Sequence, residues 1–272
     1  MADIELIHIR EGAGEPPLVF VHGYLCEHEN WRHQIDHFRK INTVVACDLR
    51  GMGRSPRGNG EMIMEQLGAD VAGLLGAETL TGAVLVGHSM GCRVVMEAFL
   101  QARDRVAGLV LVDGSRGGQD RPADWARYDG AVAERGYRAV VRDLFEGMFF
   151  GDPPDWKDAA LEKVYAVPET TGRPLYKGLI GWDADKLESA LTEIDVPVLV
   201  LQSTYLNLDR QRVMLKAGET TPYQDLLAER LPKVRSVTLP AGHFSMIEQP
   251  AAVNAEIERF VADMVRPGGG AR

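Results

Sequence analysis

Cysteine is scarce. Cys26, Cys47 and Cys92 are three thiols in 272 residues, an odd count with no pair at metal-binding spacing. That excludes a disulfide framework and a cysteine-based zinc site, so the three read as reduced, small apolar packing groups in a cytoplasmic protein. Long apolar runs are missing too, and Met1-Ala2-Asp3-Ile4-Glu5 lacks the basic-then-apolar order of a secretory leader. Neither a membrane span nor export is expected. Positive charge is in deficit, with a net charge of −9, which argues against nucleic acid as a partner. Gly51-x-Gly53 lacks the third glycine, and the immediate helix, of a dinucleotide fingerprint. What is left is a chain with 45% hydrophobic and 25% charged residues, the composition of a soluble globular protein. Its length suits one large α/β domain, or a domain with an insertion, and suffices for a substantial core. No internal repeat is visible.

The chain turns on Gly87-His88-Ser89-Met90-Gly91. Ala83 to Val86 is an apolar run that reads as a buried parallel strand, and Val94, Val95, Ala98 and Phe99 follow at helical spacing. A strand that turns straight into a helix leaves no room for side chains beside the turn, hence the flanking glycines. The apex residue is held strained and exposed at a helix N-terminus, where convergent N–H groups favour developing negative charge. A serine there suits nucleophilic attack on a carbonyl.

Other strands read at Ile4 to Ile9, Leu18 to Val21, Thr43 to Cys47, Val106 to Val112, Pro197 to Gln202 and Val234 to Leu239. Helices read at Glu29 to Phe38, Glu61 to Leu75, Pro222 to Leu231 and Ala251 to Val265. Pro267 to Arg272 reads as a frayed tail. From Arg116 to Asp195 no strand-like run occurs. This is a helical insertion with large side chains, among them Trp125, Tyr128, Phe149, Tyr176 and Trp182, interrupted at Gly151 to Pro154 and at Pro168 to Gly172. Its aromatics are either the core of the insertion or the lining of an apolar pocket above Ser89. Trp125, Tyr128, Phe149 and Trp182, with His22, are the pocket candidates.

Strands alternating with helices imply a mainly parallel sheet with helices on both faces, whose functional residues gather beyond the carboxyl ends of the strands. His22, Ser89, Asp113 and His243 all follow strands and so share that edge. Gly23 lets the backbone turn sharply, so the Tyr24 N–H can point toward Ser89. His22 reads as an organiser of that loop in preference to a base. Asp48 and Arg50 read as a structural pair around their loop. Arg116, Arg121, Arg210 and Arg212 are read as solvated surface charges, with the alternative that some meet a substrate carboxylate.

In order and spacing these motifs resemble the α/β-hydrolase family over nearly the whole chain. The matching residues are His22-Gly23, Asp48-x-Arg50-Gly51-x-Gly53-x-Ser55, Gly87-His88-Ser89-Met90-Gly91, and Gly242-His243-Phe244 with Glu248-x-Pro250. The resemblance implies a core formed by residues 1–115 and 196–272 and a helical cap over 116–195. It implies Ser89 as nucleophile, His243 as general base and then acid, and the N–H groups of Met90 and Tyr24 as oxyanion hole. His88 is expected to point away and pack. Many relatives carry a carboxylate just after the strand matching Val198 to Leu201, but none occurs here until Asp209. Asp113, 24 residues after Ser89 (113 − 89), is preferred over Asp209 as the acid, because a strand end preorganises it better.

The implied activity is that of a cofactor-independent, metal-free serine hydrolase cleaving a carboxylic ester, lactone or related carbonyl substrate through an acyl-enzyme. Serine at 89 sets the chain apart from dehalogenases and epoxide hydrolases, whose nucleophile is a carboxylate. Carbon–carbon hydrolysis of a diketone, and non-hydrolytic roles known on this fold (cofactor-free dioxygenase, lyase or small-molecule receptor), stay open. The expected partner is a small-molecule substrate, with a homodimer allowed and neither nucleic acid nor membrane involved.

Overall fold

The computed structural model describes residues 4–152, 154–207 and 211–265. Asp209 and Arg210, the tail from Pro267 to Arg272, and Pro153 lie outside the described residues. The strands are β1 (His8–Glu11), β2 (Leu18–Val21), β3 (Val44–Cys47), β4 (Ala83–His88), β5 (Val106–Val112), β6 (Val198–Gln202), β7 (Thr204–Leu206), β8 (Arg212–Met214) and β9 (Val234–Thr238). The helices are α1 (Arg32–Phe38), α2 (Met64–Ala77), α3 (Gly91–Gln101), α4 (Arg121–Arg135), α5 (Tyr137–Glu146), α6 (Lys157–Ala166), α7 (Glu169–Asp185), α8 (Leu187–Glu193), α9 (Pro222–Arg230), α10 (Ser245–Glu248) and α11 (Pro250–Val265).

One seven-stranded sheet runs in the order β1-β3-β2-β4-β5-β6-β9, with β1 antiparallel and the other neighbours parallel. This is the expected fold class. Strands β2, β3 and β4 are buried along their whole length, because helices cover both faces. That is why they read as unbroken apolar runs and not as alternation. Helices α2 and α3 pack together, as do α1 and α11. Between β5 and β6 the described residues form helices α4 to α8 and no strand. No helix among the described residues is long and apolar enough to cross a membrane.

Three elements differ from the sequence reading. The first strand pairs only from His8, because Ile7 is tied into the loop after β3: its N–H donates to Ser55 Oγ (2.8 Å) and its carbonyl accepts from the Asp48 amide (2.9 Å). The interruption expected at Pro168 to Gly172 is instead the start of α7, which carries Pro174 inside it; a proline so early removes one hydrogen bond without ending the helix. The polar segment after Gln202 contains an antiparallel hairpin, β7 with β8, in the register Thr204↔Met214 and Leu206↔Arg212. Three-residue strands leave almost no periodic trace, yet this hairpin carries Thr204 and Arg212 to the site.

Candidate active site

Ser89 stands at φ +54° on the turn from β4 into α3, a strained conformation for a residue with a Cβ. The turn is fixed on both sides. The Ser89 amide donates to the Val112 carbonyl at the end of β5 (2.9 Å). A Cβ on Gly87 would lie 2.4 Å from the Gly91 carbonyl oxygen, and one on Gly91 would lie 2.5 Å from that of Val21. No side chain fits at either flank. Of the five residues 87–91, Ser89 alone is not fully buried. Cys92, one residue further on, is buried, and burial pushes its thiol up to about 12, as it does for Cys26 and Cys47. The three cysteines are protonated packing groups.

Asp113 follows β5, also at positive φ (+47°). The His243 Nδ1–H donates to Asp113 Oδ2 at 2.6 Å, with both side chains buried. The other oxygen, Oδ1, accepts from the amides of Ser203 (2.8 Å) and Thr204 (2.7 Å) and from Gln202 Nε2 (3.2 Å), while Thr204 Oγ1–H donates to Oδ2 (2.5 Å). Burial pushes the Asp113 carboxyl up; Arg212, the Thr204 hydroxyl and the two amides pull it down. Since all these neighbours donate, the geometry is that of an ionised carboxylate. The end of β6, where a carboxylate was missing from the sequence, therefore supplies the donors that hold one from the end of β5. His243 is kept well below its ordinary value by burial and by the cations Arg212 and Arg93, so its imidazole is neutral and can accept a proton.

The loop bearing His243 is fastened from two sides. Glu248 accepts from the amides of Gly242 (2.6 Å) and Phe244 (3.3 Å). His88 does not point away from the site, as the sequence suggested. Its Nε2–H donates to the His243 carbonyl (2.8 Å), and the two rings lie against each other at a tilt with centroids 4.6 Å apart. The Glu248 contacts are local, whereas the one between His88 and His243 spans 155 positions, which no local pattern reveals.

Gly23 lies against the serine: a Cβ there would stand 3.3 Å from Ser89 Cβ. Among the described residues, the amides of Tyr24 and Met90 have no hydrogen-bond acceptor. His22 is wholly buried. Its Nδ1–H donates to the Gly23 carbonyl (2.8 Å), its Nε2 accepts from the Leu49 amide (2.9 Å), and burial pushes it down to about 4. It organises the loop and has no nitrogen left for a substrate, which removes it from the pocket candidates. Asp48 and Arg50 do not pair with each other. Asp48 binds the His28 ring (2.7 Å), and Arg50 grips Asp70 with two bonds of 2.7 Å.

The helical insertion docks through α7. Arg93, on α3 directly after the elbow, holds Asp183 two-pronged (2.7 and 2.6 Å) and donates to the Ser89 carbonyl (3.1 Å). Trp182 Nε1–H donates to Glu97 Oε1 on α3 (2.6 Å), and the Tyr24 hydroxyl donates to the Gly172 carbonyl (2.9 Å). Trp182 is thus an anchor and not a pocket wall. Trp125 likewise joins α4 to α7, its N–H on the Lys177 carbonyl (2.9 Å) and its ring facing Arg121 and Lys177. Phe149 and Tyr128 do lie toward the site. Phe149 stacks on Phe244, next to His243 (5.5 Å), and Tyr128 packs on Tyr176 (4.5 Å), which meets Tyr24 edge-on (5.5 Å). A cleft of about 250 Å³ among α5, α6 and α7 ends at Tyr137, whose hydroxyl is 3.4 Å from that of Tyr24.

Comparison with known proteins agrees with this architecture. The model of the alpha/beta hydrolase family matches residues 18–256, and the chain belongs to that family. The chain is similar to the esterase YbfF of Escherichia coli, with 26% identity over 91% of this chain and 93% of that one. It resembles part of the dihydrolipoyllysine-residue acetyltransferase component of the acetoin cleaving system of Cupriavidus necator, 32% identical over 41% of this chain. The chain spans less than half the length of the first curated relatives it matches, 30% in that case. Among solved structures, an esterase from Thermogutta terrifontis superposes with a TM-score of 0.79 at 24% identity, covering 97% of this chain and 95% of the other.

Proposed function

We propose that this protein is a serine hydrolase that cleaves a carboxylic ester or lactone of small to moderate size through an acyl-enzyme. The observation that carries the reading is the Asp113–His243 pair at 2.6 Å, set on the same sheet edge as a strained, partly accessible Ser89. In this mechanism Ser89 Oγ attacks the carbonyl carbon while His243 Nε2 takes its proton. Asp113 fixes the tautomer and stabilises the imidazolium, and the amides of Tyr24 and Met90 receive the oxyanion. His243 then protonates the leaving alcohol, and a water, deprotonated by the same histidine, releases the acid. The helices α4 to α8 act as a cap, with Phe149 and Tyr128 bounding the acyl site. The likeness to the two esterases named above agrees with this reading.

The test is covalent labelling. A fluorophosphonate should add its phosphonyl mass to the peptide bearing Ser89, and Ser89→Ala should abolish both labelling and hydrolysis of a short p-nitrophenyl ester while keeping the wild-type melting temperature. Wild-type-like turnover by a folded Ser89→Ala protein would sink the nucleophile assignment, and a protein that never labels belongs with the non-hydrolytic members of the fold.

A further inference from the structure

Arg212 is not the solvated surface charge that its sequence context suggests. Its side chain is 8% exposed. Two other buried guanidiniums, Arg50 and Arg93, each grip a carboxylate with two short bonds, to Asp70 and Asp183. Among the described residues, Arg212 has no such partner. Its Nη1–H donates to Thr204 Oγ1 (2.8 Å) and only just reaches Asp113 Oδ2 (3.5 Å), an oxygen already engaged by His243 and Thr204. Among the described residues, its remaining N–H groups have no acceptor. A guanidinium presents five donors, and a buried cation left short of partners is costly. Burial and the nearby Arg93 hold Arg212 below its ordinary value, with Asp113 and the Tyr176 hydroxyl opposing them. Among the described residues, the group is short of negative charge.

A second observation points to the same region. Tyr176 on α7, within electrostatic reach of Arg212, packs against both Tyr24 of the loop beside Ser89 and Tyr128. The Tyr128 hydroxyl is buried and, although close to Tyr24, makes no well-formed hydrogen bond. Unused donors of a buried cation and an unused buried hydroxyl therefore flank one cluster of tyrosines over the serine loop. A planar anion with two oxygens fits the open edge of a guanidinium. The resting charges also allow one, since Asp113 and Arg212 cancel while His243 is neutral; an incoming anion is not repelled as it would be by an unaccompanied carboxylate.

We propose that the substrate carries a carboxylate besides its scissile ester, received by Arg212 and supported by the Tyr128 hydroxyl. This deepens the serine-hydrolase reading and rests on it. The test is a ratio, which cancels any general loss transmitted through Asp113. kcat/KM is measured by ethanol release for ethyl hydrogen glutarate and for ethyl hexanoate, a neutral ester of similar length. The wild type should favour the acid by at least about tenfold, a preference that weakens with added salt. Arg212→Gln should cut that ratio by about tenfold, Arg212→Lys should fall between, and Tyr128→Phe should cut it a few-fold. If Arg212→Gln fails to fold, the wild-type ratio, its salt dependence and the lysine variant decide. Equal losses on both esters, or a wild-type ratio near one, overturn the proposal and leave Arg212 as support for Asp113 alone. Calorimetric binding of ethyl hydrogen glutarate to Ser89→Ala, lost in Ser89→Ala with Arg212→Gln, separates the two readings. Such binding without Ser89 labelling in the wild type means the hydrolase assignment failed and the carboxylate site did not.

Discussion

Two residues on the catalytic edge, Ser89 and Asp113, stand at positive φ although neither is glycine. Conformations of this kind cost about 1–3 kcal/mol each and persist only where the surroundings over-determine them. Asp113 is held by two amides, a side-chain amide, a hydroxyl and the His243 ring, a degree of fixation that suits the orienting role proposed for it. Asp113→Asn should therefore lower kcat for a p-nitrophenyl ester by about 10⁴-fold, the usual cost of a wrong histidine tautomer, with little change in KM. Asp209→Asn should stay within about tenfold. Reversal of that order in steady-state kinetics would return the acid to the segment after β6. The shared sheet edge of Ser89, Asp113 and His243 was legible because Ser89 and Asp113 follow apolar strands and His243 follows the half-apolar Val234 to Leu239, and parallel topology gathers strand ends whatever their distance in sequence. Arg212 and His88 were not legible. The place of Arg212 depends on the β7–β8 hairpin, and that of His88 on packing against a loop from the far end of the chain.

At the scale of elements, the central strands were plain because burial on both faces demands unbroken apolar runs, whereas the roles of the insertion's aromatics were hidden. Trp125, Tyr128, Phe149 and Trp182 look alike in sequence. Only packing separates the anchors, whose indole N–H groups are tied to Lys177 and Glu97, from the two that lie near His243 and Tyr24. Phe149→Ala should accordingly shift the ratio of kcat/KM between butyrate and octanoate p-nitrophenyl esters, while Trp125→Ala should lower the melting temperature and leave the ratio alone. A changed ratio in Trp125→Ala, with none in Phe149→Ala, would reverse the assignment. The joint between α7 and α3 yields a stability prediction. Arg93 and Asp183 are 3% and 0% exposed, so removing one leaves the other charged and buried. Asp183→Asn should cost about 3–5 kcal/mol in denaturant unfolding, and Arg93→Met with Asp183→Leu should recover part of it, because the double change leaves no buried charge. A loss below about 1 kcal/mol for Asp183→Asn would mean that the pair is solvated and the insertion loosely seated.

Over the whole molecule, the buried histidines set how stability responds to acid. His22 has a folded value of about 4 against an ordinary 6.5, chiefly because burial penalises its charged form, and protonation of Nε2 would also remove the acceptor of the Leu49 amide. His88 and His243 are displaced the same way, again with burial as the largest cause. For such groups the unfolded chain binds more protons than the folded one between the two values, so stability rises with pH across that interval. The contribution of His22 is fully present above pH 6.5 and is lost as pH falls from 6.5 toward 4, and those of His88 and His243 are lost in the same direction. His22 alone accounts for roughly 3 kcal/mol, since holding one proton off costs about 1.4 kcal/mol for every pH unit between its unfolded and folded values. Asp113 and Glu248, pushed up by burial, act in the opposite sense, because they protonate more readily folded than unfolded, and so reduce the net slope. Asp48 adds nothing in this window: burial raises it, the His28 ring and the amides of His28 and Arg54 outweigh that and hold it at about 2, and its share is lost only below its ordinary value of 3.8. The melting temperature should therefore be level from about pH 8 to 7 and fall steeply between about pH 6.5 and 4.5. His22→Asn should start lower and fall less steeply over the same range. A melting temperature unchanged between about pH 7 and 4.5 would show that these imidazoles reach water, which would also undo the argument that His243 rests neutral beside Asp113 and Arg212.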